Sequence, residues 1–109
     1  GKMNRAKIKK VIKEIGRFIK KELNAKEVIL FGSFASGKFR SDSDLDILVI
    51  LDNKLKPYKP SAFISMQLER ELGINFPIDI IVRTPEQIKE RMDLGDFFIK
   101  KILTEGTYL

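Results

Sequence analysis

Two aspartates at the start of an apolar run carry the most specific chemical signal in this sequence. Asp44 and Asp46 stand directly before and within the segment that continues as Ile47–Leu51. Residues two apart in a β-strand point to the same face, so both carboxylates are expected to emerge side by side. Two anions beside a core repel each other unless a cation compensates. A divalent metal with hard oxygen ligands is the natural candidate.

A third aspartate, Asp79, lies between apolar residues in the run Ile78–Val82. An unpaired charge in such a strand is costly to bury, so it needs a partner. If the two strands are neighbours, Asp79 completes a three-carboxylate cluster. Such a cluster can hold two Mg²⁺ ions about 3.5–4 Å apart, which is the arrangement for phosphoryl displacement. We therefore assign catalytic and metal-binding roles to the three aspartates, with Asp79 as proton acceptor.

The pair Gly32 and Ser33 follows another apolar run, Val28–Phe31. A glycine lets the backbone approach a ligand closely. Backbone N–H groups ahead of a short helix, together with the Ser33 hydroxyl, are placed to hold the outer phosphates of a triphosphate. The pattern indicates a phosphate-binding turn next to the aspartates.

Composition limits the alternatives. At 109 residues the chain has room for one core, so residues 1–109 are predicted to form a single domain. Histidine and cysteine are absent, which leaves carboxylates as the general bases and oxygens as the metal ligands. No apolar stretch approaches the ~20 residues of a membrane span, and we expect a cytoplasmic protein. The net charge of +6 favours an anionic partner without identifying it.

The elements that must position these residues follow from periodicity and capping signals. The predicted order is helix, strand, helix, strand, helix, strand, helix, helix, which is an α/β (α+β) fold with a small mixed sheet of three main strands. The predicted segments are a lysine-rich amphipathic helix over 5–23, strands over 28–31, 45–51 and 78–82, a short helix from Ser33, a helix capped by Ser61 and ended by Gly73, a helix from a capping box at Thr84, and a last helix over 96–103.

Three features remain open to two interpretations. The lysines of the first helix form either a solvated face or a nucleic-acid patch. Phe97 and Phe98 are predicted to join the core with Ile99, Ile102 and Leu103. One of the two phenylalanines could instead cover a partner-binding surface, because so small a domain has to form its acceptor site with another chain. The segment 52–60 is predicted to be an exposed connection.

The three motifs together resemble the signature of the DNA polymerase beta-like nucleotidyltransferase superfamily, in particular its minimal single-domain (MNT) members. The similarity in element order covers nearly the whole chain. The resemblance implies that the aspartates hold the metals and that the Gly-Ser turn contacts the triphosphate. Ser43, within the aspartate motif, is counted with the nucleotide-binding residues. The residues that carry the resemblance are Phe31-Gly32-Ser33, Ser43-Asp44-Leu45-Asp46-Ile47 and Ile78-Asp79-Ile80.

The resemblance also implies a function: Mg²⁺-dependent transfer of AMP from ATP to a tyrosine hydroxyl of a helical HEPN-type toxin, with this chain as the antitoxin in a homo- or hetero-oligomer. Two alternatives remain. One is a non-catalytic antitoxin that inhibits its partner by occlusion, and the other is nucleotide transfer to RNA or to a small molecule. A departure from the family pattern bears on this choice. Many minimal members have an arginine where Ser36 precedes Gly37, which leaves Lys38 and Arg40 as candidate replacement cations.

Overall fold

A computed structural model of the chain describes residues 4–52 and 60–109. The helices are α1 (Arg5–Glu22), α2 (Ser33–Ser36), α3 (Pro60–Leu72), α4 (Pro85–Asp93) and α5 (Phe97–Glu105). The strands are β1 (Glu27–Phe31), β2 (Leu45–Ile50), β3 (Ile78–Arg83) and β4 (Thr107–Tyr108). The predicted fold class and element order are confirmed. The sheet differs from the prediction in having a fourth strand.

The sheet is mixed, with strand order β3-β2-β1-β4. β1 pairs antiparallel with β2, and β2 pairs parallel with β3. β4 is a two-residue edge strand that pairs with Leu30 and Ile29 of β1. Every residue of β2 except Asp46 is buried, so protein covers both faces of this central strand. The unbroken apolar run Ile47–Leu51 correctly predicted that coverage.

Two layers of helices cover the sheet. On one face α1 packs against β1 and α3 packs against β3, and on the other face α5 packs against β1. The first layer contains Ile12, Ile15, Ile19, Ile64 and Leu68 against Val28, Leu30, Ile47 and Val49. The second is smaller and contains Ile102 against Ile29, Leu48 and Ile50. The second face is therefore covered over only part of its length.

Helix α1 carries the charge excess of the whole chain. Asn4 caps it by accepting hydrogen bonds from Ala6 N and Lys7 N, at 2.9 and 3.2 Å. Its 18 residues include eight basic and two acidic side chains, which gives the same +6 as the complete sequence. The rest of the chain is therefore neutral overall. The lysines of α1 are exposed, as both interpretations of this face require.

The predicted helix boundaries agree with the structure to within two residues; α5, for example, continues to Glu105 and not only to Leu103. Ser61 is the second residue of α3 and not its cap, because the helix already begins at Pro60, a residue favoured in the first turn. Gly73 follows α3 with a φ of +67°, as expected of a helix stop. Thr84 and Gln87 form the predicted capping box of α4. Most of the predicted connection 52–60 lies outside the described residues.

The prediction that both phenylalanines of α5 join the core is wrong. Ile99 and Ile102 are buried, whereas the side chain of Phe97 is 83% exposed and that of Phe98 is 52% exposed. A helix on a sheet buries only one stripe of its surface, and the isoleucines occupy that stripe.

Within the part of the chain that the structure describes, no helix has the length and hydropathy to cross a bilayer.

The difference between buried and exposed leucines gives a direct test of this core. We expect Leu48→Ala, at a fully buried position in the centre of β2, to lower the free energy of unfolding by about 2–5 kcal/mol. Leu94→Ala removes the same atoms from a residue that is 70% exposed, so its effect should stay below about 0.5 kcal/mol. Urea unfolding of both variants measures the difference, and similar values would contradict the assigned register of β2.

The cap of α5 predicts a dependence of stability on pH. Asp96 accepts a hydrogen bond from Ile99 N at 3.0 Å and another from Arg91 Nε at 2.9 Å, and these contacts lower the pKa of the carboxyl. Its stabilising effect is complete above the pKa of an unfolded aspartate and is lost as the pH falls through the lower pKa of the folded state. The advantage of the wild type over Asp96→Asn should therefore disappear in acid. Urea unfolding across a pH series tests this, and a gap independent of pH would contradict it.

Candidate active site

A row of three side chains crosses the sheet at the open end of its second face. Phe31 of β1 pairs with Asp46 of β2, and Asp46 pairs in register with Asp79 of β3. Residues paired in this way point to the same side of a sheet and lie one strand spacing apart, about 4.8 Å. The two carboxylates are therefore direct neighbours. The adjacency of β2 and β3, on which the predicted cluster depends, is confirmed.

The next row along the same face explains why this end is accessible. Moving two residues along each strand leads to Ile29, Leu48 and Ile81, which lie under α5. Helix α5 starts at Phe97, and the ring of Phe98 meets that of Phe31 edge to face with centroids 5.6 Å apart. The covered part of the face thus ends at Phe98, and the carboxylates lie just beyond it.

The electrostatics of Asp46 show how close the acidic groups are. Burial raises the pKa of the half-buried Asp46 carboxyl, and the negative charges of Asp79 and Asp44 raise it further. Asp44 and Asp79 are both exposed. The expectation that Asp79 lies buried in its strand is wrong, because β3 is an edge strand and the residue is exposed to solvent. A bound cation would therefore offset two costs at Asp46, the partial burial of its carboxylate and the repulsion from Asp79 and Asp44.

Gly32 lies directly against Asp46. Its φ is +73°, and a Cβ atom at this position would overlap Asp46 Oδ2. Both the backbone conformation and the space therefore require glycine. The carbonyl of Gly32 accepts hydrogen bonds from Ala35 N and Ser36 N as α2 begins, which leaves the half-buried Ser33 as the first residue of that helix. The Gly-Ser turn and the carboxylates form one continuous surface.

Ser43 lies beside the acidic residues but has a different set of contacts. Its hydroxyl accepts a hydrogen bond from Arg40 N at 2.7 Å, and its own N–H donates to Arg40 O. These contacts close the tight turn that leads into Asp44. Closer to β1, the ring of Phe34 in α2 stacks on that of Phe39 with centroids 4.4 Å apart, and the Arg5 guanidinium covers Phe39. The loop between β1 and β2 is thus fixed at both ends.

The carboxylate oxygens of the three aspartates are the type of donor atom that Mg²⁺ prefers. Asp46 and Asp79 occupy paired positions on one face of the sheet, and Mg²⁺ is usually held by one or two carboxylates together with water and substrate phosphates. Among residues 4–52 and 60–109, however, no three His, Cys, Asp or Glu side chains form a group that could hold a metal as they stand. Asp46 and Asp79 are brought together in register, and Asp44 is close enough to Asp46 for its charge to raise the pKa of that carboxyl. The phosphate oxygens of a substrate would have to complete any coordination shell.

Two grooves flank Phe98, and the sequence predicted neither of them. One has a volume of about 480 Å³ and runs from Gly32 and Ser36 across to Lys101 of α5. The other has a volume of about 470 Å³ and lies along β3, where Ile81 and Arg83 continue the face of Asp79. Phe98 lines both grooves and separates them. The first groove reaches the carboxylates through Gly32, which lies against Asp46, and the second reaches them through Ile81, two residues from Asp79 on the same face. Two substrates could therefore approach the paired aspartates from opposite sides.

A mixed α/β sheet that places neighbouring aspartates against a Gly-Ser turn is the architecture of a nucleotidyl-transfer domain. Comparison with known proteins agrees with this class. The sequence model of the family described as "Nucleotidyltransferase domain" matches residues 7–109, and the chain belongs to that family.

Individual relatives place the chain near minimal members of the family. A Methanocaldococcus jannaschii protein named as a candidate protein adenylyltransferase is 29% identical over 79 residues, which cover 72% of this chain and 77% of the relative. A candidate nucleotidyltransferase from Sulfolobus solfataricus has the same fold, with a TM-score of 0.59, 21% identity and coverage of 99% and 88% of the two chains. A chain from a toxin–antitoxin crystal structure with AMP-PNP gives a TM-score of 0.53 and 21% identity, with 97% and 72% covered.

Repulsion at Asp46 should be measurable as a loss of stability. We expect Asp46→Asn, without divalent metal, to have a higher Tm than the wild type at neutral pH, because it removes one of three neighbouring negative charges. The gain should vanish in acid, where the wild-type carboxyl is protonated. Asp52→Asn is the matched control: Asp52 lies two residues beyond the far end of β2 and pairs with Lys26, so its replacement should not raise the Tm. Calorimetry that finds Asp46→Asn less stable would contradict the geometry of the cluster.

Proposed function

We propose that this protein is a Mg²⁺-dependent adenylyltransferase that moves AMP from ATP to a hydroxyl group of a partner protein. The observation that carries the proposal is the in-register pairing of Asp46 with Asp79, directly beside Gly32. Carboxylate oxygens and a close-approach turn are the two parts that phosphoryl transfer needs, because its catalysis consists mainly of positioning and charge neutralisation.

Each residue has a role that follows from its position. Asp44, Asp46 and Asp79 would hold the metal, which would supply the positive charge that neutralises the phosphates. The acceptor oxygen attacks the α-phosphorus, the bond to the bridging oxygen breaks, and pyrophosphate leaves. Asp79 takes the proton of the acceptor hydroxyl, since it lies on the edge strand where a second substrate can approach.

The nucleotide occupies the side of the row that contains the Gly-Ser turn. Gly32 and the Ser33 hydroxyl contact the outer phosphates. Ser43, which belongs to the nucleotide-binding motif, stabilises the turn that leads into Asp44. The acceptor then approaches from the opposite side, through the groove along β3. This division agrees with the order of the row, in which Asp46 is adjacent to the turn and Asp79 is adjacent to the groove.

Several observations favour a protein as the acceptor. Leu94 and Phe97 are 70% and 83% exposed and adjoin Asp96, which lines the β3 groove. Exposed apolar residues beside a site are typical of protein contacts. The excess positive charge, which RNA would require, lies on α1 behind the sheet. A protein acceptor is also supported by two similar proteins: the archaeal relative is named as a candidate protein adenylyltransferase, and the structural neighbour comes from a toxin–antitoxin complex. We propose a HEPN-type helical toxin as the partner, a tyrosine as its modified residue and the cytoplasm as the location.

Transfer of labelled AMP tests the proposal. The chain is incubated with Mg²⁺, ATP labelled at the α-phosphate and the protein encoded by the adjacent gene, and mass spectrometry locates the added AMP. We expect label on a partner tyrosine, none when EDTA removes the metal, and a loss of about a hundredfold or more for Asp46→Asn. Asp52→Asn serves as the control and should retain the wild-type rate.

The same experiment separates the alternatives. Inhibition of the partner without label transfer and without ATP binding would replace catalysis with occlusion, which the neutral Ser36 next to Gly37 would favour. Label on RNA or on an aminoglycoside, and not on the protein, would keep the chemistry and change the acceptor. Transfer at the wild-type rate by Asp46→Asn would overturn the assigned site altogether.

A further inference from the structure

We propose that Lys101 of α5 is the cation that holds the outer phosphates of the nucleotide. This inference rests on the proposed function, because it assumes that a nucleoside triphosphate lies against Gly32. It assigns a binding role to a residue far along the chain from every sequence motif of the site. It also identifies the groove between α2 and α5 as the place where those phosphates lie.

The geometry of α5 directs Lys101 toward the turn. Phe98, Lys101, Ile102 and Glu105 all line the groove, and their spacing of three, four and seven residues places them on one face of a helix. Phe98 on that face contacts Phe31 of β1, and Ile102 is buried against β1 and β2. The face is therefore fixed at two points, and Lys101 stands between them.

The opposite wall of the groove is formed by the turn itself. Gly32 and Ser36 line it, so Lys101 and the Gly-Ser turn face the same space of about 480 Å³. A lysine ammonium is a compact charge that suits phosphate oxygens. The one acidic residue on the lining, Glu105, lies one turn beyond Lys101 and forms no ion pair with it within residues 4–52 and 60–109. Lys101 is thus available to an anion.

The two cations that the sequence offered for this role are placed elsewhere. Lys38 and Arg40 follow the glycine that ends α2, both are exposed, and neither lines the groove. Of the basic residues that the structure describes, Lys101 is the one on the groove wall. Ser36 on the facing wall is neutral. Lys101 accordingly supplies from α5 the positive charge that the turn lacks.

Calorimetric titration with two nucleotides tests the assignment. We expect Lys101→Ala to weaken binding of ATP–Mg²⁺ about tenfold, as for loss of one charged hydrogen bond, and to leave binding of AMP unchanged, because AMP lacks the outer phosphates. Lys100→Ala is the matched control, since Lys100 is the neighbouring exposed lysine and does not line the groove. Lys101→Arg should bind ATP nearly as well as the wild type. Ser36→Arg added to Lys101→Ala should restore affinity from the facing wall.

Each other outcome has a distinct meaning. If the wild type binds ATP and Lys101→Ala binds it equally well, the inference is overturned and the proposed function stands. If Lys101→Ala weakens ATP and AMP to the same extent, the residue acts on the nucleoside or on the fold, and the inference is again overturned. If the wild type binds no ATP at all, the proposed function itself fails.

Discussion

The direct pairing of Asp46 with Asp79 is the constraint on which the rest of this structure depends. A parallel ladder between β2 and β3 sets these two carboxylates one strand spacing apart, where like charges oppose folding. The apolar residues on either side compensate for this repulsion. Leu45 and Ile47 of β2 and Ile80 of β3 are buried on the other face, so the register that packs the core also brings the charges together. A shift of one residue in β3 would lose both.

The second face of the sheet is divided between stability and accessibility. Helix α5 covers the row that contains Leu48 and stops at the row that contains Asp46, with Phe98 at the boundary. Extending the cover by one turn would bury the carboxylates, and shortening it would expose Ile29 and Leu48. Gly32 limits the site from the other side, because no larger residue fits against Asp46. The uncovered part of the second face is therefore small, and a groove on each side of Phe98 leads to it.

The sequence predicted those parts of the molecule that depend on local pattern. The capping box at Thr84, the stop at Gly73 and the unbroken apolar run of β2 each describe a structure formed within a few residues, and each prediction is correct. The two-residue strand β4 is too short to show alternation, and it forms because Gly106 returns the chain to β1. In the candidate site, the aspartates and Gly32 were recognisable from spacing. Phe98 and Lys101 were not, because their relation to the site arises from the packing of α5 on β1.

The concentration of positive charge on α1 gives the whole molecule a strong electric dipole. The net charge of +6 on α1 lies on one side of the sheet, and the acidic row, Asp46 and Asp79, lies on the other. An anionic surface, such as a cation-exchange resin, would attract the molecule by α1 and turn its acidic row outward toward the solution. Adsorbed in this orientation, the protein would remain open to small molecules and to other chains, and the orientation would relax as salt screens the attraction.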